Sequence, residues 1–179
     1  MPNYRRARAD GATYFFTLAL AERGRDTLTR HIGALRHAMA ETFRDHPCSL
    51  DAAVVLPDHL HLVLTMPEGR SDFSTIIGAM KARFTRRMRQ VGWNPALPVR
   101  PSLVRKGEAG VWQRRFWEHL IRDDADYCAH VTYCWANPVK HGLVARPADW
   151  PFSSLHRDIR RGLVPPEWQE RTPEIDAGE

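Results

Sequence analysis

Two histidines, His59 and His61, stand one residue apart in the run His-Leu-His-Leu-Val-Leu-Thr. On an extended strand side chains alternate between faces, so both imidazoles project from the same face, roughly 6 to 7 Å apart along it. Two such rings can chelate one ion, and a pair of surface or hydrogen-bonded structural histidines is the other reading of that spacing. A second group comes much later: Asp126, His130, Tyr133 and Asn137, at spacings of four, three and four, form a polar helical stripe beside a more apolar one of Tyr127, Val131 and Cys134. With the apolar stripe in the core, the polar one faces outward or over a site, where Tyr133 can offer a hydroxyl and Asn137 a carbonyl oxygen. Two imidazoles and an amide oxygen leave positions for water and a phosphate oxygen, which suits Mg²⁺ or Mn²⁺ as a Lewis acid, with imidazole favouring Mn²⁺; closed structural zinc wants four ligands. A tyrosine with an ordinary pKa of about 10 is a weak nucleophile at neutral pH, so it must be aligned and its proton accepted. Glu118, His119 and His130 are candidates for groups that support the ligands or take that proton.

Those side chains need elements to hold them. Thr13 to Leu20 is β-branched and aromatic without a breaker and reads as a buried strand. Asp26 can cap a helix whose apolar positions Leu28, Ile32, Leu35, Met39 and Phe43 recur every three or four residues. Cys48 to Leu56 reads as a strand, Pro57-Asp58 as a turn, and His59 to Met66 as a strand with Leu60, Leu62, Leu64 and Met66 opposite the histidines. Phe73, Ile76, Ile77, Met80, Phe84 and Met88 mark a second helix, and Gly92 to Gly110 a long loop. Val111 to Ile121 is expected as the last strand. Asp123 or Asp124 then caps a helix expected to stop near Asn137, because Pro138 disfavours helical geometry in the residue before it. The order strand, helix, strand, strand, helix, strand predicts an α+β fold: a ferredoxin-like βαββαβ sandwich with an antiparallel sheet. The extra C-terminal helix and the histidines then share the sheet face that the two main helices leave uncovered. Residues 1–145 are expected to form the catalytic domain and 146–179 an extended, wrapping tail.

The 179 residues suit one domain with an appendage, and at 43% hydrophobic and 26% charged the composition excludes wholesale disorder, collagen and coiled coil. No run of 18 apolar residues exists and no signal-like segment follows the N-terminus, so a cytoplasmic protein is expected. Cys48, Cys128 and Cys134 are odd in number and lack a Cys-x-x-Cys pair, against a disulfide framework or zinc ribbon. Charge is unevenly spread. Between Lys81 and Arg115 lie ten bases (Lys81, Arg83, Arg86, Arg87, Arg89, Arg100, Arg105, Lys106, Arg114, Arg115) and one acid, Glu108, while Glu167 to Glu179 carries five acids and one arginine. The first is a plausible phosphate footprint, or simply a solvated basic face.

Several blocks in order resemble one family. Pro57-Asp58-His59-Leu60-His61 is similar to the His-hydrophobic-His motif of HUH endonucleases, and Tyr133 with Asn137 resembles their single-tyrosine helix. With Tyr4-Arg5-Arg6, Phe15-Phe16-Thr17, Val54-Val55-Leu56-Pro57, Trp112 to His119, Asn137-Pro138-Val139-Lys140-His141-Gly142 and Trp150 to Ser154, the chain resembles REP-associated tyrosine transposases over nearly its whole length. The resemblance implies a metal-dependent nuclease and strand transferase for single-stranded or hairpin DNA of the REP type. Tyr133 would attack the phosphodiester to form a 5′-phosphotyrosine, and His59, His61 and Asn137 would hold the ion; wider relatives usually carry Gln in place of Asn137. Arg5, Arg6, Lys81, Arg83, Arg86, Arg87, Arg114 and Arg115 are the expected DNA contacts. A nucleoid-associated monomer or weak dimer, away from membranes, goes with this reading.

Three other readings stand beside it: a domesticated, catalytically inactive hairpin-binding protein of the same fold, a zinc protein using His59, His61 and Cys128 or Cys134, and a replication initiator or relaxase. The short chain, the single candidate tyrosine and the absence of a helicase segment count against the last.

Overall fold

A computed structural model describes residues 9–93 and 110–178. Arg5 and Arg6, the Tyr4 block and most of the Gly92 to Gly110 loop, with Arg100, Arg105 and Lys106, lie outside the described residues. The elements run β1 (Thr13–Ala19), α1 (Thr27–Arg30), α2 (Ile32–Asp45), β2 (Ser49–Val55), β3 (His59–Thr65), α3 (Phe73–Gln90), β4 (Trp117–Leu120), α4 (Asp124–Lys140), a 3-10 turn at Pro147–Asp149 and α5 (Leu155–Arg160). The four strands form one antiparallel sheet in the order β2-β3-β1-β4, the ferredoxin-like arrangement that the element order predicts.

The two central strands are buried on both faces, and their alternation sorts side chains into two cores. Tyr14, Phe16, Leu18, Leu60, Leu62 and Leu64 pack against Leu35 and Met39 of α2 and Ile76, Ile77, Met80 and Phe84 of α3. On the other face Phe15, Val54 and Val63 meet Val131 and Cys134 of α4, Leu155 of α5 and Ala177 of the tail. In the register of β1 and β3, Phe15 lies opposite Val63, Thr17 opposite His61 and Ala19 opposite His59, so the histidines belong to the α4 face.

The tail after residue 145, expected as extended, carries the 3-10 turn and α5, and local structure departs from the sequence expectations in three further places. Asp26 makes no side-chain cap; its carboxylate binds Arg30, and the helical pattern breaks at His31 into a single turn and α2. The last strand is four residues long. Gln113 bonds to Ala19 and Trp112 bridges Leu20, out of register with the Thr17–Trp117 pair, so the chain bulges between Trp112 and Trp117 and divides the expected strand.

Third, α4 runs through Pro138 to Lys140. Asp123 caps its start, accepting from the Asp126 amide at 2.8 Å. Its end is set by Gly142 at φ 65°, where Leu143 N–H bonds to Pro138 O and Gly142 N–H to Val139 O, the paired bonds of a Schellman cap. Pro138 sits in the last turn, where the bond it cannot make is one of the last in the helix. Gly142 was the legible stop signal.

Beyond α4, Ser153 bridges Val54, and Val55 and Ser154 exchange backbone bonds with Phe152 and Ala53, covering the outer edge of β2. Trp150 and Trp135 anchor this segment by donating to Val55 O and Ser154 Oγ. The chain then returns over the α4 face: Thr172 donates to Ala136 O and Trp117 Nε1 to Asp176 O.

Candidate functional site

The site grows out of β3 and α4. The His59 and His61 rings meet edge to face with centroids 5.1 Å apart, and both are buried. Their orientation follows from hydrogen bonds that the sequence reading did not include. Asp58, in the turn, accepts from His59 Nδ1 at 2.7 Å and is itself held by the Gly24 amide and Arg23 Nε. Burial pushes the Asp58 carboxyl up, but the bonds from Gly24 and His59 and the Arg23 charge outweigh it and keep it below the ordinary value. The Thr17 hydroxyl donates to Ala177 O at 2.6 Å, so it accepts from His61 Nδ1 at 2.8 Å. In both imidazoles Nδ1 is thus the nitrogen engaged by the protein, the arrangement by which a metal-ligating histidine is oriented through its other ring nitrogen.

Across from them stands α4. The Tyr133 ring lies edge-on to His61 at 5.3 Å and to Phe15 at 5.9 Å, and Phe15 stacks on His61 at 5.3 Å. Asn137, one turn on, is fully buried. Lys140 Nζ donates to the Tyr133 hydroxyl at 2.7 Å, and the His141 ring is 5.1 Å from His59. Lys140 and His141 were missed because the helix was expected to end at Asn137.

His119, Asp126 and His130 gather on the far side of Phe15, whose ring is 4.8 Å from that of His130. Their ligand atoms all lie within 4.8 Å of one another, and among the described residues this is the one such group of three His, Cys, Asp or Glu; it could hold a metal ion, and it contains neither His59, His61 nor any cysteine. As it stands it is a hydrogen-bond cluster. The His119 and His130 rings stack at 4.5 Å and 15°, and Asp126 Oδ2 takes bonds from His119 and from the Arg122 amide and guanidinium. Burial raises the Asp126 carboxyl, yet these bonds win and hold it at about 2; burial likewise pushes His130 below its ordinary value. Glu118 points the other way, opposite Phe16 and toward the α2/α3 core.

The basic helix α3 packs on that same far face. Arg83 pairs with Asp45 and Arg87 with Glu41, both on α2, while Lys81 donates to Gln113 O. Arg86, Arg114 and Arg115 are exposed. Cys134 is buried in the α4 core, where burial pushes its thiol up, and Cys128 is exposed.

Fold and site define a class: ferredoxin-like α+β proteins that set a helix-borne tyrosine against two strand-borne histidines. The chain is 42% identical over 179 residues to the REP-associated tyrosine transposase of Escherichia coli K12, covering all of this chain and 98% of that one. A Haemophilus influenzae protein provisionally given the same name is 41% identical over 168 residues, 94% of this chain and 93% of its own. A solved structure of a REP-associated tyrosine transposase bound to a REP hairpin superposes with a TM-score of 0.86 at 42% identity, over all of this chain and 98% of that one. No family model matches the chain. The chain belongs to the family of REP-associated tyrosine transposases.

Proposed function

We propose that the protein is a metal-dependent endonuclease and strand transferase that cleaves single-stranded DNA at or near REP-type hairpins. Tyr133 attacks the phosphodiester, forms a 5′-phosphotyrosine and releases a 3′-hydroxyl; resealing is the reverse attack. The observation that carries this reading is the buried junction of β3 and α4, where the Tyr133 ring stands 5.3 Å from that of His61 and His61 meets His59 edge to face. The solved relative bound to a REP hairpin supports the choice of DNA.

His59, His61 and Asn137 fit a divalent ion by the chemistry of the set: two imidazoles each engaged through Nδ1 and one amide, all shielded from water. When bound there, Mg²⁺ or Mn²⁺ supplies Lewis-acid polarisation of a phosphate oxygen. Asp58 and Thr17 keep the imidazoles in position, Phe15 seats His61 and Tyr133 together, and the buried surroundings strengthen every charge interaction with the phosphate. His119 and His130, clamped by Asp126, support Phe15 from behind; Glu118 lies outside this arrangement.

For the DNA we retain Arg5, Arg6, Arg86, Arg114 and Arg115 as contacts. Lys81, Arg83 and Arg87 are engaged within the protein and contribute by field rather than by direct pairing. Residues 1–145 form the catalytic unit and 146–179 a wrapping tail. No helix among the described residues is long and apolar enough to cross a membrane. A cytoplasmic, nucleoid-associated monomer or weak dimer fits the role.

The test is incubation of the protein and its Tyr133→Phe variant with single-stranded hairpin oligonucleotides from repeats flanking its gene, with Mn²⁺, Mg²⁺ or EDTA, resolved on denaturing gels. A metal-dependent protein–DNA adduct that disappears in the variant is expected. Binding without an adduct under every metal would leave a hairpin-binding protein in place of the enzyme.

A further inference from the structure

Because α4 continues past Pro138, Lys140 stays on the same helix face as Tyr133, two turns away. Its Nζ donates to the Tyr133 hydroxyl at 2.7 Å and lies 4.8 Å from the ring centroid. An ammonium has three donors and no acceptor, so the phenolic oxygen can only receive from it. That oxygen is where negative charge must appear if Tyr133 is the nucleophile. We propose that Lys140 is a further catalytic residue, one that stabilises the charge on the Tyr133 oxygen when it attacks and again when it leaves; this rests on the reading of Tyr133 given above.

The step balances without another reagent. On cleavage the Tyr133 O–P bond forms as the P–O3′ bond breaks, and the phenol proton ends on the departing 3′ oxygen. On resealing the 3′-hydroxyl attacks, the phenolate departs and the proton returns to it. Lys140 keeps its own proton throughout. A preorganised cation beside the one atom that is nucleophile in one direction and leaving group in the other lowers both barriers. Lys140 also lines an open cavity of about 460 Å³ with Val139, Pro147 and the tail residues Glu170 and Arg171.

The experiment uses the full-length chain, its Lys140→Met and Lys140→Arg variants, a hairpin oligonucleotide and Mn²⁺. Adduct formation is followed in single turnovers, and hairpin binding by fluorescence anisotropy. Lys140→Met should slow adduct formation about 100-fold with hairpin affinity within twofold of the unaltered protein, and Lys140→Arg should recover most of the rate. A second substrate carries sulfur in place of the departing 3′ oxygen. The Lys140→Met defect should persist on it, since Lys140 acts on the nucleophile; rescue by sulfur would move Lys140 to the leaving group and overturn the assignment. Rates within threefold for Lys140→Met, or equal loss of rate and binding in both variants, would overturn it as well. Absence of any adduct from the unaltered protein would instead overturn the reading of Tyr133, and the Lys140 proposal with it.

Discussion

The two faces of the sheet are made from the same strands and do different work. Along β3 the even positions Leu60, Leu62 and Leu64 enter an apolar core under α2 and α3, while the odd positions set His59 and His61 beside Val63 on the face under α4, where buried polar groups and an apolar cluster share the space. Both faces exclude water, yet on the second almost every buried polar group is drawn into a specific bond: Thr17 with His61, Asp58 with His59, Asp126 with His130, Lys140 with Tyr133. Burial supplies stability on both sides and, on the second, orientation as well. A buried polar group costs free energy unless it is hydrogen-bonded, so a face built this way tolerates few arrangements of its side chains.

That contrast can be broken residue by residue. The largest effects should come from the polar face and fall on chemistry: Tyr133→Phe or His59→Ala should reduce adduct formation to background on denaturing gels while hairpin binding survives. Equal loss of binding for His59→Ala would mean that the histidines serve the fold. One residue from His61, Leu62→Ala should cost about 3 kcal/mol in urea unfolding through the cavity it leaves, with the catalytic rate of the remaining folded protein unchanged. Asp58→Asn, which weakens the hold on His59, should lower apparent Mn²⁺ affinity in the cleavage assay about 10- to 100-fold, and unchanged affinity would reduce Asp58 to a turn residue.

Two smaller effects concern charge. The Asp126 carboxyl is held near 2, below its ordinary 3.8, so its contribution to stability is complete above about pH 4 and lost as pH falls toward 2. His130 is pushed down and favours its neutral form, so its contribution is present above about pH 6.5 and declines below that. Urea midpoints across pH should show both declines, and Asp126→Ala should remove the acid one. Replacing Glu167, Glu170, Glu174 and Asp176 by their amides should strengthen hairpin binding severalfold at low ionic strength and little at high salt. Unchanged affinity at low salt would separate the tail's charge from DNA binding.

Much of this was legible from local pattern. Alternation placed His59 and His61 together and opposite the leucines, and spacing placed Tyr133 and Asn137 on one stripe, because strand and helix periods are properties of the backbone alone. Helix ends and strand continuity were less so. Pro138 looked like a terminator because its steric effect is local, but the stop belongs to the Gly142 cap, and the error hid Lys140 and His141. Val111 to Ile121 reads as one strand in isolation, and only its pairing with β1 shows it divided by a bulge.

The sequence by itself determined which residues share a face and which elements exist, since those depend on neighbours within a few positions. Tertiary structure alone decided what meets across the site. Thr17 orients His61 from 44 residues away and is tied to Ala177 across 160, and Phe15 sits between two clusters that no short window contains. Such contacts depend on strand order, on the return of the tail and on which face α4 covers. They are selected by the packing of the whole chain, because only there do buried polar groups find the partners that make their burial affordable.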